Sequence, residues 1–501
     1  MAASYLDFFS VAACGLLSIP IAVAHLSKAE LGIWAIVNGL ISYLVWLDLG
    51  LGTASARMIA PSIAERHQAE INRWWTLSRG IMVLLGLVGA GFCLLVIPLF
   101  FFVYDVPAEL ASDTRTLLLG AAVIVAVSIP LRGVSGLFTA QGRYHWSPLL
   151  QAVTVWVNLV VFYLGLKAGL GLVAYLWAMA ASLGLQWIAY WLLIRFGPMP
   201  PRWDASGFET SRARSLMRYS LNIAGMGFAE TIINRVPTLL LGAVGGLGLV
   251  PLLHITMRAP LLVSSLVRKT LWSFYPGLLR LHVSASDRSL PEKHRQIGEL
   301  VLCVGLMAAG ATAILNKTFV VLLAGETFYA GDAVTLVLVA LIVMEPLCRM
   351  FQVLLNLSGN MGRTGVLSFG SLAVTIAASY AGYRLFGMPG LLLALVVQPL
   401  VLSTYGILHG IRHCGYAKSD FSYGILSGAG VVFALSVLAY LIGSNTSFIP
   451  TSLFIFGFEL ATPSDGSLFA GITLGGGGMI LAIRGLTGRS GRSLLSTSKT
   501  C

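Results

Sequence analysis

About fourteen apolar stretches, each near the roughly 20 residues a helix needs to cross hydrocarbon, run through this chain with only short connections between them. They fall at roughly 5–24, 31–54, 80–103, 116–138, 147–166, 171–194, 219–242, 247–267, 297–316, 333–355, 364–383, 389–409, 422–443 and 466–486. A bilayer core offers no water to backbone N–H and C=O groups, so its spans are helices or a closed barrel. Barrel strands alternate apolar and polar residues, and these runs do not. With 57% hydrophobic and 10% charged residues, the chain reads as an all-α polytopic membrane protein.

The cations orient it. Of 32 Lys and Arg, 25 lie in the even-numbered loops, the tail and the span ends that border them. The odd loops hold five, Lys28, Arg115, Lys167, Lys317 and Arg384, and two more, Arg235 and Arg258, fall inside spans. Cytoplasmic loops collect Lys and Arg, so both termini are expected to face the cytoplasm. The net charge of +12 is spread over many loops and so argues for topology rather than for nucleic acid. Six scattered cysteines (Cys14, Cys93, Cys303, Cys348, Cys414, Cys501) lack metal or redox spacing and read as reduced, buried thiols. The first apolar run has no preceding Lys or Arg and no small-residue cleavage site, so it reads as the first span.

An internal repeat is visible at an offset of about 217 residues. Pro130-Leu131-Arg132 returns as Pro346-Leu347-Cys348-Arg349, and Gly142 returns as Gly359. Tyr163, Gly165 and Lys167 return as Tyr380, Gly382 and Arg384. The expected plan is two pseudo-repeated six-helix lobes, 1–200 and 219–415, around a central cavity. A cytoplasmic linker (201–218) joins them, and two further helices (416–487) and a cytoplasmic tail (488–501) follow.

Within the spans, charge is the scarce signal. Arg258 lies near the middle of span eight, one turn after His254, and Pro260 is expected to kink the helix around the cation. A central Arg costs about 2.5–3.5 kcal/mol on insertion scales, so it faces a cavity or a partner. As an anion site it would hold phosphate oxygens bidentately at any working pH. The other reading is an Arg paired with an intramembrane acid for packing. Span seven carries Glu230, Asn234 and Arg235 ahead of Pro237, and Arg235 sits about 140° round the helix from Glu230. Glu230 is therefore a candidate charge partner for Arg258 or a site for a coupling proton. Arg235 either lines the cavity or snorkels outward.

Asp48 sits in "DLGLGTASAR", where Gly50 and Gly52 are expected to let a neighbouring backbone approach. Arg57 at the end of that segment is either an ordinary cytoplasmic cation or a gate on an anion path. Arg132 and Arg349 match across the repeat and are candidates for an inward-facing entrance; Arg268, at the end of span eight, is a further cavity candidate. Glu345 and Arg349 form an i, i+4 pair in the favourable order and read as self-neutralised. No metal-spaced His/Cys/acid cluster, phosphate loop, G-x-S-x-G or supported carboxylate pair is found, so neither an enzyme nor a cofactor or metal site is expected.

The segment "LSKAELGIWAIVNGLISYLVWLDLGLGTASARMIAP" (Leu26–Pro61) resembles the opening of bacterial polysaccharide flippases of the O-antigen type. These share a superfamily with multidrug and toxin exporters and peptidoglycan lipid flippases. "LLRLHVSASDRSL", "LAGETFYAG" (Leu323–Gly331), "LSGNMGRTGVLSF" and "MPGLLLALVVQP" resemble further landmarks of that family in the same order. The resemblance implies two lobes, a cationic cavity and alternating access. Its substrate would be an undecaprenyl-pyrophosphate-linked oligosaccharide, carried from the inner to the outer leaflet. The implied partners are that lipid-linked substrate, the bilayer, and a polysaccharide polymerase or glycosyltransferases. Arg57 and Arg258 match the family's cavity cations on helices two and eight, whereas helix one offers Asp7 and no cation. A cation-coupled multidrug or metabolite exporter of the same architecture is the alternative. Cationic drugs would favour a cavity dominated by acids, and here Arg matches or outnumbers them.

Overall fold

The computed structural model describes residues 2–45, 50–268, 289–357, 361–413, 453–455 and 458–460. They form fourteen helices: α1 Ala2–His25, α2 Lys28–Val45, α3 Leu51–Ala64, α4 Gln68–Val103, α5 Ala111–Ala140, α6 Trp146–Lys167 and α7 Val173–Arg195. Then come α8 Thr210–Val244, α9 Val250–Thr256, α10 Arg258–Arg268, α11 Ser289–Ala324, α12 Asp332–Leu357, α13 Met361–Leu393 and α14 Val397–His413. A short antiparallel hairpin pairs β1 (Leu453–Ile455) with β2 (Phe458–Leu460) in the loop expected to face outward. Spans thirteen and fourteen, at about 422–443 and 466–486, lie outside the described residues, as does the tail.

Seven of these helical stretches are long and apolar enough to cross a membrane, or eight with the bent pair that ends in α10. The lipid-facing surface is visible on α4, where Leu87 is 61% exposed, Leu95 73% and Phe102 88%. Water would not tolerate such a continuous apolar face, and hydrocarbon does. This is a multi-pass α-helical membrane protein.

The chain divides into two compact units, Met1–Pro251 and Leu252–Cys501. In the first, α4 packs on α5, α6 on α7, α1 on α6 and α3 on α5, while α8 lies against α2 and α3. In the second, α11 packs on α12, and α12 on α13 and α14. Helices in lipid gain little from leaving it, so close contact depends on small residues. A Cβ on Gly136 of α5 would run into the carbonyl oxygen of Gly52 in α3. Of the two glycines singled out in "DLGLG", Gly52 thus serves close packing, as expected. Gly50 does something else: at φ 71° it is left-handed and stands immediately before α3. Span two is consequently two helices and not the single helix expected, because a left-handed residue cannot continue one.

The two units share local features. Helices α4 and α11 each have 36 residues. Each is followed by a single 3₁₀ turn, Ala108–Leu110 or Glu326–Phe328, before α5 or α12 begins. After α6 the chain reverses through left-handed Gly169 and Gly171, with Gly165 hard against Ala174. At the matching place in the second unit it turns at Gly387 (φ 65°), and the backbones of Gly382 and Gly390 interlock. Cys14, Cys93, Cys303 and Cys348 are free thiols and buried; Cys414 and Cys501 lie outside the described residues.

Candidate functional site

Span eight does not run straight. Helix α9 stops at Thr256, Met257 is a turn, and α10 starts at Arg258, the two segments bent by 44°. The cause is in the sequence. Pro260 has no N–H for the carbonyl of Thr256, four residues earlier, and its ring crowds that carbonyl. The kink expected from Pro260 is present and lies immediately before the arginine.

The break is held from outside the helix. Thr256 is fully buried, and its Oγ1 accepts the N–H of Ala330 at 3.0 Å and donates to the carbonyl of Phe328 at 3.5 Å. Those two residues belong to the turn "LAGETFYAG", whose Gly325 (φ 92°) and Gly331 (φ 101°) both need left-handed backbone. A polar network continues from the turn. Tyr329 donates its hydroxyl to Asp332 Oδ1 at 2.7 Å and meets Thr335 Oγ1 at 2.9 Å, which accepts from Asn316 Nδ2 at 3.1 Å. Thr256 is a residue of the break that attention to charge alone misses. Its signal was legible, since it sits four residues before a proline inside a span.

His254 is buried on α9, and Arg258 is half-buried as the first residue of α10, so the two flank the break. Arg268 ends α10, half-buried, and donates from Nη2 to Ser265 Oγ at 2.9 Å. Arg235 is half-buried on α8, which continues helical through Pro237. Arg57 on α3 and Arg132 on α5 are exposed, on two helices joined at the Gly52–Gly136 contact. The side chains of Asp48, Glu230, Glu345 and Arg349 lie outside the described residues. Among the described residues, no group of three His, Cys, Asp or Glu could hold a metal.

A second charged cluster was not singled out in the sequence. Glu70 in the first turn of α4 takes Arg212 of α8 bidentately, at 2.6 and 3.2 Å, and Arg73 at 2.8 Å. Arg73 also faces Asp204 at 3.6 Å, and Arg212 reaches Glu209 at 2.9 Å and lies over the Trp74 ring. Hydrogen bonds from Ser206, aided by the Arg73 charge, hold the Asp204 carboxyl below its ordinary range. Ser211 and then Arg212 do the same for Glu209. Arg212 is pushed upward, chiefly by Glu70. The cluster fastens residues 196–209, between α7 and α8, onto the start of α4.

No protein-family model matches the chain, and no curated protein does. Solved structures do. An inward-facing multidrug-resistance MATE transporter of the MOP superfamily superposes with a TM-score of 0.61 at 17% identity, covering 81% of this chain and 98% of its own. The chain shares the fold of this transporter. The same fold is seen in a point mutant of the Vibrio cholerae MATE transporter VcmN, with a TM-score of 0.55, 15% identity, and coverage of 84% and 96%. A third structure of this fold is a MOP superfamily transporter from Pyrococcus furiosus, described by the reversed polarity of its binding pocket, suggesting a different function. It superposes with a TM-score of 0.55 at 17% identity, covering 83% of this chain and 94% of its own.

Proposed function

We propose that this protein is a flippase that carries an undecaprenyl-pyrophosphate-linked oligosaccharide across the bacterial inner membrane by alternating access. The observation that carries the reading is Arg258, a permanent cation at the mid-span break of a MOP fold, first in a helix whose N-terminus favours anions. A pyrophosphate and a glycan need a polar, cationic cleft, whereas their lipid tail stays in the bilayer. Arg57, Arg132, Arg235, Arg268 and Arg349 are the further cations proposed along the path. Asp48, Glu230, His254 and Glu345 are the proposed charge or coupling-ion partners. The Pyrococcus relative supports the reading, because its description shows that this fold accommodates pockets of different polarity. The cation count supports cytoplasmic termini, and an inside-negative potential would help expel the anion by about 2.3 kcal/mol per charge per 100 mV.

Multidrug transport is the second reading, favoured by the MATE transporters that share the fold. One experiment separates the two. With the gene under inducible control in its native bacterium, depletion is expected to accumulate undecaprenyl-linked sugar in the inner leaflet and to abolish surface polysaccharide. Arg258→Ala, at normal protein level, is expected not to restore either. Unchanged glycan with heightened sensitivity to cationic drugs would replace the flippase by the exporter.

A further inference from the structure

The segment between α7 and α8 lies along one face of α4 at a regular spacing. The Arg202 N–H donates to Asn72 Oδ1 at 2.8 Å, and the Asp204 N–H donates to Thr76 Oγ1 at 2.9 Å. The Phe208 ring covers Gly80, where a Cβ would meet its Cε1 and Cζ at 2.6 Å. Asn72, Thr76 and Gly80 are successive i, i+4 positions, so the segment travels about 12 Å along the helix. Gly80 is where the apolar span of α4 begins. Val83, Leu84 and Leu87 lie within about 60° of it round the helix, and all three are exposed apolar side chains.

Trp203 and Phe208 lie with ring centroids 5.8 Å apart and planes tilted by 54°, 66% and 53% exposed, beside the start of the apolar span, the depth expected for the boundary of headgroups and acyl chains. A Trp in that zone buries its ring and keeps its N–H wet. The pair is not adventitiously exposed, because the backbone on either side is pinned to Asn72 and Thr76 and by the Asp204–Arg73 contact. Arg202, adjacent to Trp203, is exposed, and exposed Arg195 ends α7 just before the segment. Aromatic rings at headgroup depth flanked by arginines complement an anionic phospholipid surface.

We infer that residues 198–209 form a preorganised membrane anchor, with Trp203 and Phe208 seated in the headgroup–acyl boundary and Arg202 on the phosphate of an anionic phospholipid. This requires only the membrane fold and holds whichever transport reading is right.

The test uses the full chain labelled with 5-fluorotryptophan in nanodiscs, with the Trp203 resonance assigned by its loss in Trp203→Phe. Lipid bearing a nitroxide near the top of its acyl chain is expected to broaden that resonance at least about twofold, and a water-soluble gadolinium chelate to spare it. Replacing phosphatidylcholine by phosphatidylglycerol is expected to shift it, and Arg202→Gln to abolish the shift. Broadening by the chelate and not by the lipid would overturn the anchor. A shift produced by an isoprenyl pyrophosphate in phosphatidylcholine, and not by phosphatidylglycerol, would assign Arg202 to a substrate path and overturn the anionic-phospholipid assignment.

Discussion

Thr256 accepts the backbone N–H of Ala330 at 3.0 Å across 74 residues of sequence, tying the break in span eight to the turn before α12. The bond fixes where the helix stops, and so where Arg258 begins the next one. Thr256→Val keeps the shape but removes the acceptor. It is expected to cost about 1–2 kcal/mol through a partly buried N–H left unpaired, read as a lowered thermal midpoint in detergent. Thr256→Ser is expected to stay near the parent.

The contact of α3 with α5 makes a graded prediction. A Cβ at Gly136 strikes backbone, the carbonyl of Gly52, which cannot swing aside. A Cβ at Gly52 meets the Arg132 carbonyl at 3.4 Å and Ser135 Oγ at 3.5 Å, which is ordinary contact. Gly136→Ala is therefore expected to destabilise by about 1–3 kcal/mol and Gly52→Ala by much less. Thermal unfolding of the two variants side by side decides it.

A double-mutant cycle measures the clasp of α4 on α8. Glu70 and Arg212 retain 32% and 20% side-chain exposure, so solvent screens part of their attraction. Glu70→Gln and Arg212→Gln, alone and together, are expected to show a coupling of about 1 kcal/mol that shrinks with added salt. A coupling of zero would make the bidentate geometry energetically idle.

Acid should loosen the same region. Asp204 and Glu209 titrate below their ordinary values in the folded protein. Their contribution is complete above the unfolded pKa values, near about 4, and is lost as pH falls through the lower folded values. Pepsin is expected to reach the 198–209 segment only as pH drops below about 4. Asp204→Asn is expected to open it at higher pH.

Hydropathy located the helices because a bilayer punishes every exception, and spans one to twelve each coincide with helix. What hydropathy misjudged was continuity. Apart from Asp48 and Arg258 the two spans stay apolar through Gly50 and Met257, yet backbone conformation breaks both there. Pro260 announced one break; for the other, "DLGLG" suggested only close packing. The repeat was legible at Gly165 and Gly382, whose missing side chains let the backbone reverse tightly in each unit. The Glu70–Arg212 clasp was not legible, because residues 142 apart give no periodic signal. Charge singled out Arg258 because hydrocarbon makes it costly, whereas Thr256, neutral and common in spans, carried no such mark.

Helix α4 has 36 residues and is about 54 Å long, against a hydrocarbon core of about 30 Å. Residues 68–79, roughly 18 Å of it, stand clear of the acyl chains and carry Glu70 and Arg73. It is thus a lever arm with its fulcrum at the membrane surface. A tilt of only about 10° within the bilayer would sweep its tip by about 3 Å, a displacement as long as the contacts that hold the clasp. A reorientation of span three of that size would be enough to make or break those charged contacts.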